Sequence, residues 1–126
     1  MPHHIRIFHC DDSSAFTRLV RHWLDDHADI RHVGEAHSGD DAIAAIGPAR
    51  PDVVLLDTMG SPGDTTLLRR IRSEVPQARV IVYSGYVSLL DEGLGEEADA
   101  YIEKAEDEEA LVAMIRAVAA ARATGG

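Results

Sequence analysis

Residues 51–57 read Pro51-Asp52-Val53-Val54-Leu55-Leu56-Asp57, an apolar run that ends abruptly at a carboxylate. Four apolar residues without alternation predict a strand that is covered on both faces, as is typical of the centre of a parallel sheet. The carboxylate that ends this buried strand needs an explanation of its own. Asp57 is therefore the first candidate for a functional residue.

Short apolar segments alternate with helical patterns on either side of this run, which predicts five β-α units around one parallel sheet. The other predicted strands are Ile5 to Cys10, a strand through Val33, Val80 to Ser84 and Tyr101 to Lys104. Right-handed crossovers favour the strand order 2-1-3-4-5, which is a doubly wound, flavodoxin-like (βα)5 fold of the α/β class. We expect one domain over residues 1–126, with a core from about residue 5 to about residue 120.

Polar residues mark where several helices begin and end. Ser13-Ser14 can cap a first helix, and Ser38 with Asp41 resembles a capping box that opens a second one. Gly47-Pro48 predicts the end of that second helix. Between Val87 and Ala98 a fourth helix is only weakly specified, so we expect it to be short. The last helix is opened by acidic residues from Asp107 onward.

Composition excludes several classes of function. The chain has 22 Asp+Glu against 12 Lys+Arg, a formal net charge of -10, which argues against direct nucleic-acid binding and against anionic membranes. No run approaches the roughly 18 apolar residues of a membrane span. The single cysteine, Cys10, predicts a buried thiol in a reducing compartment, so we expect a cytoplasmic protein. The seven histidines are scattered without the paired spacings of a zinc site.

Carboxylates and two other polar groups follow the predicted strands at one edge of the sheet. In a doubly wound sheet, ligands bind outside the carboxyl ends of the strands where the strand order reverses, here between strands one and three. Asp11, Asp12 and Asp57 leave those ends, and a hard divalent cation such as Mg²⁺ would relieve their mutual repulsion. Ser84 and Lys104 leave the neighbouring strands and suit a tetrahedral anion.

A carboxylate nucleophile, a metal clamp, a hydroxyl and an ammonium are the parts that phosphoryl transfer needs. Each residue alone has a plainer interpretation: Asp11-Asp12 could cap a helix, and Lys104 could be a solvated surface charge. Their shared position at four strand ends favours the combined site. We therefore predict a site that receives a phosphoryl group.

The same residues resemble the receiver domain of bacterial response regulators over about residues 5 to 120. The pattern consists of Asp11-Asp12, Asp57, Ser84 and Tyr101-Ile102-Glu103-Lys104, each after a predicted strand or within one. Further stretches resemble receivers joined to LuxR-type DNA-binding domains: Val33-Gly34-Glu35-Ala36, residues 51–57 and Arg69-Arg70-Ile71-Arg72. The resemblance is specific, because five dispersed positions match in order and spacing.

The resemblance implies that Asp57 takes a phosphoryl group from a sensor histidine kinase or a phosphotransfer protein. It also implies that Mg²⁺ is bound by Asp12, Asp57 and the backbone carbonyl of Met59, with Asp11 acting through water. Such a domain is a signalling module and not an enzyme, beyond its own phosphoryl uptake and autodephosphorylation. An output domain, such as that of a transcriptional regulator, or a second copy as homodimer partner would receive the signal.

The resemblance further implies a switch. Ser84 would turn toward the phosphoryl oxygens, Lys104 would pair with them, and Tyr101 would swing inward. New charge would then remodel the face made by the fourth helix, strand five and the last helix. A plainer interpretation of Tyr101 is that of a half-buried strand aromatic.

Two other functions stay open at this point. Asp57 is followed by Thr58-Met59-Gly60-Ser61-Pro62-Gly63, where the family usually has a methionine–proline pair, so a phosphorylation-independent interaction module is an alternative. A metal-dependent phosphatase would also use an aspartyl nucleophile. Such enzymes usually need a second carboxylate two residues after the nucleophile, and Met59 occupies that position.

Overall fold

The computed structural model describes residues 4–57, 65–85 and 98–124, which form one five-stranded parallel sheet with four helices. The strands are β1 (Ile5–Cys10), β2 (Ile30–Ala36), β3 (Val53–Leu56), β4 (Arg79–Ser84) and β5 (Ala100–Glu103). The helices are α1 (Ser14–Asp25), α2 (Gly39–Ala49), α3 (Thr66–Glu74) and α4 (Glu108–Thr124). The strand order β2-β1-β3-β4-β5 confirms the predicted fold. Met59, the rest of the loop after Asp57 and nearly all of the predicted fourth helix lie outside the described residues.

The core has two layers, one on each face of the sheet, because successive strand residues point to opposite faces. In β3, Val54 and Leu56 belong to the layer that holds residues of α2 and α3. Val53 and Leu55 belong to the layer that holds residues of α1 and α4. All four β3 side chains are buried, which explains why this run is apolar without alternation.

Side-chain caps begin three of the helices. The hydroxyls of Ser13 and Ser38 each accept a hydrogen bond of 3.1 Å from the backbone N–H three residues further on. The carboxylate of Asp107 accepts an equivalent bond of 3.0 Å before α4. These bonds satisfy N–H groups that have no partner within the helix. The predicted starts of α1, α2 and α4 are confirmed.

The prediction that Gly47-Pro48 ends the second helix is wrong. Helix α2 contains Pro48 and runs to Ala49, and Arg50 ends it in the left-handed conformation with φ 49°. The guanidinium of Arg6, on β1, donates to the carbonyl oxygens of Ala49 at 2.8 Å and Arg50 at 3.0 Å. These tertiary bonds satisfy carbonyl groups at the helix end that have no partner further along the helix, which stabilises an end at Ala49 and Arg50.

Candidate functional site

Two of the predicted carboxylates are held by the backbone directly after central strands. The N–H of Asp11 donates to the carbonyl oxygen of Ala36 at 3.0 Å, and the N–H of Asp57 donates to that of Cys10 at 2.9 Å. The parallel ladder therefore continues one residue past β1 and β3. Asp11 is 0 % exposed and Asp57 is 7 % exposed, so both carboxylates are fixed in buried positions.

The three predicted metal ligands lie together. Carboxylate oxygens of Asp11, Asp12 and Asp57 all lie within 4.8 Å of one another, with Asp12 exposed and the other two buried. No other group of three or more Asp, Glu, His or Cys side chains in residues 4–57, 65–85 and 98–124 meets this criterion. Three carboxylate oxygens form a donor set that suits a hard divalent cation, so the residues present fit Mg²⁺.

Lys104 follows β5 and reaches into this cluster. Its Nζ lies 2.7 Å from Oδ2 of Asp11 and 3.5 Å from Oδ2 of Asp57. Its backbone N–H donates to the carbonyl oxygen of Ser84 at 2.8 Å, so the end of β4 positions the start of the loop that carries the lysine. The interpretation of Lys104 as a solvated surface charge is wrong, because its side chain is 25 % exposed and pairs with two carboxylates.

The charges at this edge of the sheet do not cancel. Burial raises the pKa of Asp57, the neighbouring Asp11 raises it further, and Lys104 acts in the opposite direction. Among the described residues, three carboxylates and one ammonium lie at this site, and the surplus negative charge favours the binding of an additional cation.

Asp11 also has a structural role. Its Oδ1 accepts a hydrogen bond of 2.8 Å from the backbone N–H of Ser13, the residue that caps α1. The helix-capping interpretation of Asp11 is wrong, because Ser13 caps α1 and Asp11 only accepts from the backbone N–H of that capping residue. The other oxygen faces Lys104, so one buried side chain ties the start of α1 to the acidic cluster.

Ser84 lies at the end of its strand, whereas Tyr101 lies within its strand. Ser84 ends β4 at the same edge of the sheet as Asp57, and it is 7 % exposed. Tyr101 lies within β5, partly buried against the core layer of α2 and α3. Its position fits the interpretation of a half-buried strand aromatic, and its inward rotation stays a prediction.

Three aromatic side chains that contact one another beside Lys104 were not predicted as part of the site. The ring of Phe16, on α1, has Nζ of Lys104 over it at 4.6 Å from the centroid. It contacts the fully buried rings of His9 and Tyr83, with centroids 6.0 Å and 5.2 Å away. Burial lowers the pKa of His9 to about 3, so this imidazole is neutral at physiological pH. The one available sequence signal was a histidine between apolar residues near the end of β1.

A second polar cluster lies between α1 and β2, around the carboxylate of Glu35. His37 Nε2 and the Thr17 hydroxyl each lie 3.1 Å from Oε2 of Glu35. Arg21 lies 3.4 Å and His32 3.7 Å from Oε1. Sequence patterns did not indicate this cluster, because it forms only where α1 packs beside the end of β2.

Residues 7–116 match the model of the response regulator receiver domain family. The chain belongs to this family, and it is a receiver domain of two-component signalling.

One relative by sequence is the transcriptional regulatory protein TrcR of Mycobacterium tuberculosis. The two are 36 % identical over 115 residues, which are 89 % of this chain and 44 % of TrcR. The signal receiver domain of NarL from the same species has a similar structure: the TM-score is 0.81 and the identity 26 %, over 94 % of this chain and 98 % of that one. A LuxR-family response regulator from Aurantimonas sp. SI85-9A1 also has a similar structure. Its TM-score is 0.79 and its sequence identity 27 %, over 94 % of this chain and 87 % of that one.

The chain spans less than half the length of two full-length relatives, since it matches 44 % of TrcR and 24 % of a protein-glutamate methylesterase from Syntrophus aciditrophicus. The methylesterase activity that this name states is an activity of the Syntrophus aciditrophicus protein. None of the helices in the described part of the chain is long and apolar enough to span a membrane.

Proposed function

We propose that Asp57 accepts a phosphoryl group from a sensor histidine kinase or a phosphotransfer protein, and that this modification switches the domain. The contact geometry at the strand ends carries the proposal: one ammonium lies 2.7 Å from Asp11 and 3.5 Å from Asp57, beside three clustered carboxylates. Such a site combines a nucleophilic oxygen with a positive charge. In phosphoryl transfer the oxygen attacks the phosphorus atom, and the positive charge stabilises the phosphoryl oxygens.

The transfer step is a nucleophilic displacement at phosphorus. An oxygen of the Asp57 carboxylate forms the new P–O bond, while the P–N bond of a phosphohistidine breaks. The leaving imidazole keeps the electron pair of that bond and takes up a proton. Lys104 would neutralise the phosphoryl oxygens, and the Ser84 hydroxyl would donate a hydrogen bond to one of them.

Asp11, Asp12 and Asp57 would hold the Mg²⁺ ion, together with the backbone carbonyl of Met59 that the family resemblance implies. The bound ion supplies charge neutralisation between the acceptor carboxylate and the incoming phosphoryl group. Support comes from the three converging carboxylates, of which Asp11 and Asp57 are buried.

The proposed switch face consists of residues 87–98, β5 and α4. Phosphorylation adds negative charge beside Ser84, whose carbonyl oxygen accepts the N–H of Lys104 directly after β5. A change at Ser84 would therefore act on the end of β5. Tyr101, partly buried in that strand, is the side chain proposed to turn inward.

The proposal for the whole protein is broader. Residues 1–126 would form one receiver domain that works in the cytoplasm as a signalling module, which a single buried free cysteine fits. The output would be a transcriptional regulator or a homodimer partner, since TrcR is named a transcriptional regulatory protein and LuxR-family regulators share the fold. The net charge of -10 supports a segment that itself binds neither nucleic acid nor membrane.

Intact-mass spectrometry after incubation with acetyl phosphate and Mg²⁺ tests the proposal. We expect one phosphoryl adduct on the unmodified chain and none on Asp57→Asn or in the presence of EDTA. Asp40→Asn is the matched control, because the Asp40 side chain is 97 % exposed on α2, and it should load normally. If the unmodified chain stays unloaded under conditions that load another receiver, the phosphorylation-independent interaction module becomes the better explanation.

A further inference from the structure

We infer that Phe16 is a positioning residue for phosphoryl transfer: the face of its ring holds the Lys104 ammonium at the edge of the acidic cluster. The inference rests on the proposed function of Asp57 and adds a residue that sequence patterns assign only to helix packing. Phe16 would act through Lys104, without touching the phosphoryl group itself.

The geometry is that of a cation–π contact. Nζ of Lys104 lies 4.6 Å from the centroid of the Phe16 ring, within the range over which an aromatic face attracts a cation. The same nitrogen lies 2.7 Å from Asp11. A lysine side chain is flexible, with a point charge at its tip, so two fixed contacts restrict where that charge can lie.

The ring is positioned by one backbone hydrogen bond and by two ring contacts. The backbone N–H of Phe16 donates to the capping hydroxyl of Ser13 at 3.1 Å, which fixes the first turn of α1. The ring packs edge-on against His9, at an interplanar angle of 73°, and tilted by 53° against Tyr83. Both of these neighbours are 0 % exposed, so close packing in the core restricts their movement and that of the ring.

This arrangement keeps the ammonium closer to Asp11 than to the acceptor. The Lys104 ammonium is 3.5 Å from the Asp57 oxygen and 2.7 Å from the Asp11 oxygen. An ammonium that paired closely with Asp57 would neutralise the nucleophile before transfer. Held against Phe16 and Asp11, the charge stays near enough to meet a phosphoryl group once that group is attached.

Stepwise fluorination of the Phe16 ring tests the electronic part of the inference. Fluorine weakens the negative face of the ring with little change in shape, so the rate of loading by acetyl phosphate should fall with each fluorine, by roughly two- to fivefold in total. The same series at Phe8 is the control, because Phe8 is 1 % exposed in the other core layer. Equal rates across the Phe16 series would overturn the inference.

A second measurement does not depend on phosphorylation. Lys104 is the only lysine of the chain, so lysine labelled with ¹³C at Cε gives one NMR signal. In Mg²⁺-free protein we expect an upfield ring-current shift of the Cε protons, retained in Phe16→Tyr and lost in Phe16→Leu. A shift that survives in Phe16→Leu would contradict the contact, once circular dichroism shows that both variants fold.

The two measurements separate the possible failures. If the unmodified chain takes no phosphoryl group, the proposed function is wrong, and the ring-current shift alone decides whether Phe16 holds Lys104. If loading proceeds but does not respond to ring fluorination, the proposed function stands and the role of Phe16 is wrong.

Discussion

The ammonium nitrogen of Lys104 lies 2.7 Å from a carboxylate oxygen of Asp11, a side chain with no exposed surface. A buried carboxylate is stable in its charged form only with such a partner. The ammonium also supplies part of the positive charge that a divalent cation would bring to the same cluster. The Lys104 ammonium should therefore oppose the binding of Mg²⁺ to the three carboxylates.

Replacing Lys104 by Met tests this opposition, because Met keeps most of the side-chain length and removes the charge. We expect Mg²⁺ to bind about tenfold more tightly to Lys104→Met, a change of about 1.4 kcal/mol, when titrated by calorimetry. Arg70→Met makes the same change in net charge at a side chain that is 52 % exposed, and should leave the affinity unchanged. Equal affinities for Lys104→Met and the unmodified chain would contradict the prediction.

The buried histidine of β2 predicts a pH dependence of stability. The His32 side chain is 6 % exposed, and burial lowers its pKa from the ordinary value of 6.5. Protonation therefore favours the unfolded chain, so the contribution of His32 is fully present above pH 6.5 and is lost as the pH falls through the lowered pKa. Below pH 6.5 the free energy of unfolding should therefore fall more steeply for the unmodified chain than for His32→Gln, by up to about 1.4 kcal/mol per pH unit.

Urea unfolding at intervals between about pH 7.5 and about pH 5.5 measures this difference. The histidines other than His32 are present in both proteins, so the difference between the two curves reports on His32 and on the groups coupled to it. If the free energies of unfolding of the two proteins change in parallel over this pH range, protonation of His32 does not destabilise the folded chain, and the prediction is wrong.

Two glycines should respond in opposite ways to alanine. A Cβ added at Gly34, in β2, would lie 3.0 Å from two ring carbons of Phe8, whereas one added at Gly47, in α2, has nothing within 4 Å. Gly34→Ala should lower the free energy of unfolding by about 1–3 kcal/mol. Gly47→Ala should raise it by up to about 1 kcal/mol, since glycine is a weak helix former. Chemical denaturation compares the two, and similar losses would contradict the packing argument.

The left-handed end of α2 predicts a stabilising change. Arg50 has φ 49°, a conformation that costs an L-residue roughly 1–2 kcal/mol relative to right-handed backbone and that glycine adopts readily. We expect Arg50→Gly to raise the free energy of unfolding by about 1 kcal/mol. Arg50→Ala should give no such gain, because alanine has the same steric conflict. Thermal unfolding measures the stability of both variants, and an Arg50→Gly variant less stable than the unmodified chain would contradict the prediction.

Local patterns predicted the strands well, because each strand is a short apolar run whose burial follows from its composition. The run 53–56 is the clearest example, since both of its faces are covered. The end of α2 could not be predicted from Gly47-Pro48. The residue that satisfies the carbonyl groups there, Arg6, lies on a strand more than 40 residues earlier in the chain.

The candidate site was partly predictable for a topological reason. Asp11, Asp57 and Lys104 each follow a predicted strand, and parallel strands bring their carboxyl ends to one edge of the sheet. Phe16 and His9 could not be assigned to the site in the same way. Helical spacing predicts only that Phe16 packs on the sheet, not that its ring lies beside an ammonium that follows β5.

The amino-acid sequence by itself determined the order of the elements, the doubly wound sheet and the three carboxylates at its carboxyl edge. These features depend on periodicity, capping and chain connectivity, which neighbouring residues encode. Only the tertiary structure decided that Lys104 pairs with Asp11 more closely than with Asp57, and that its ammonium lies over Phe16, whose ring contacts the neutral His9. Distances, burial and pKa depend on side chains from several elements packed together, and no single stretch of sequence contains that information.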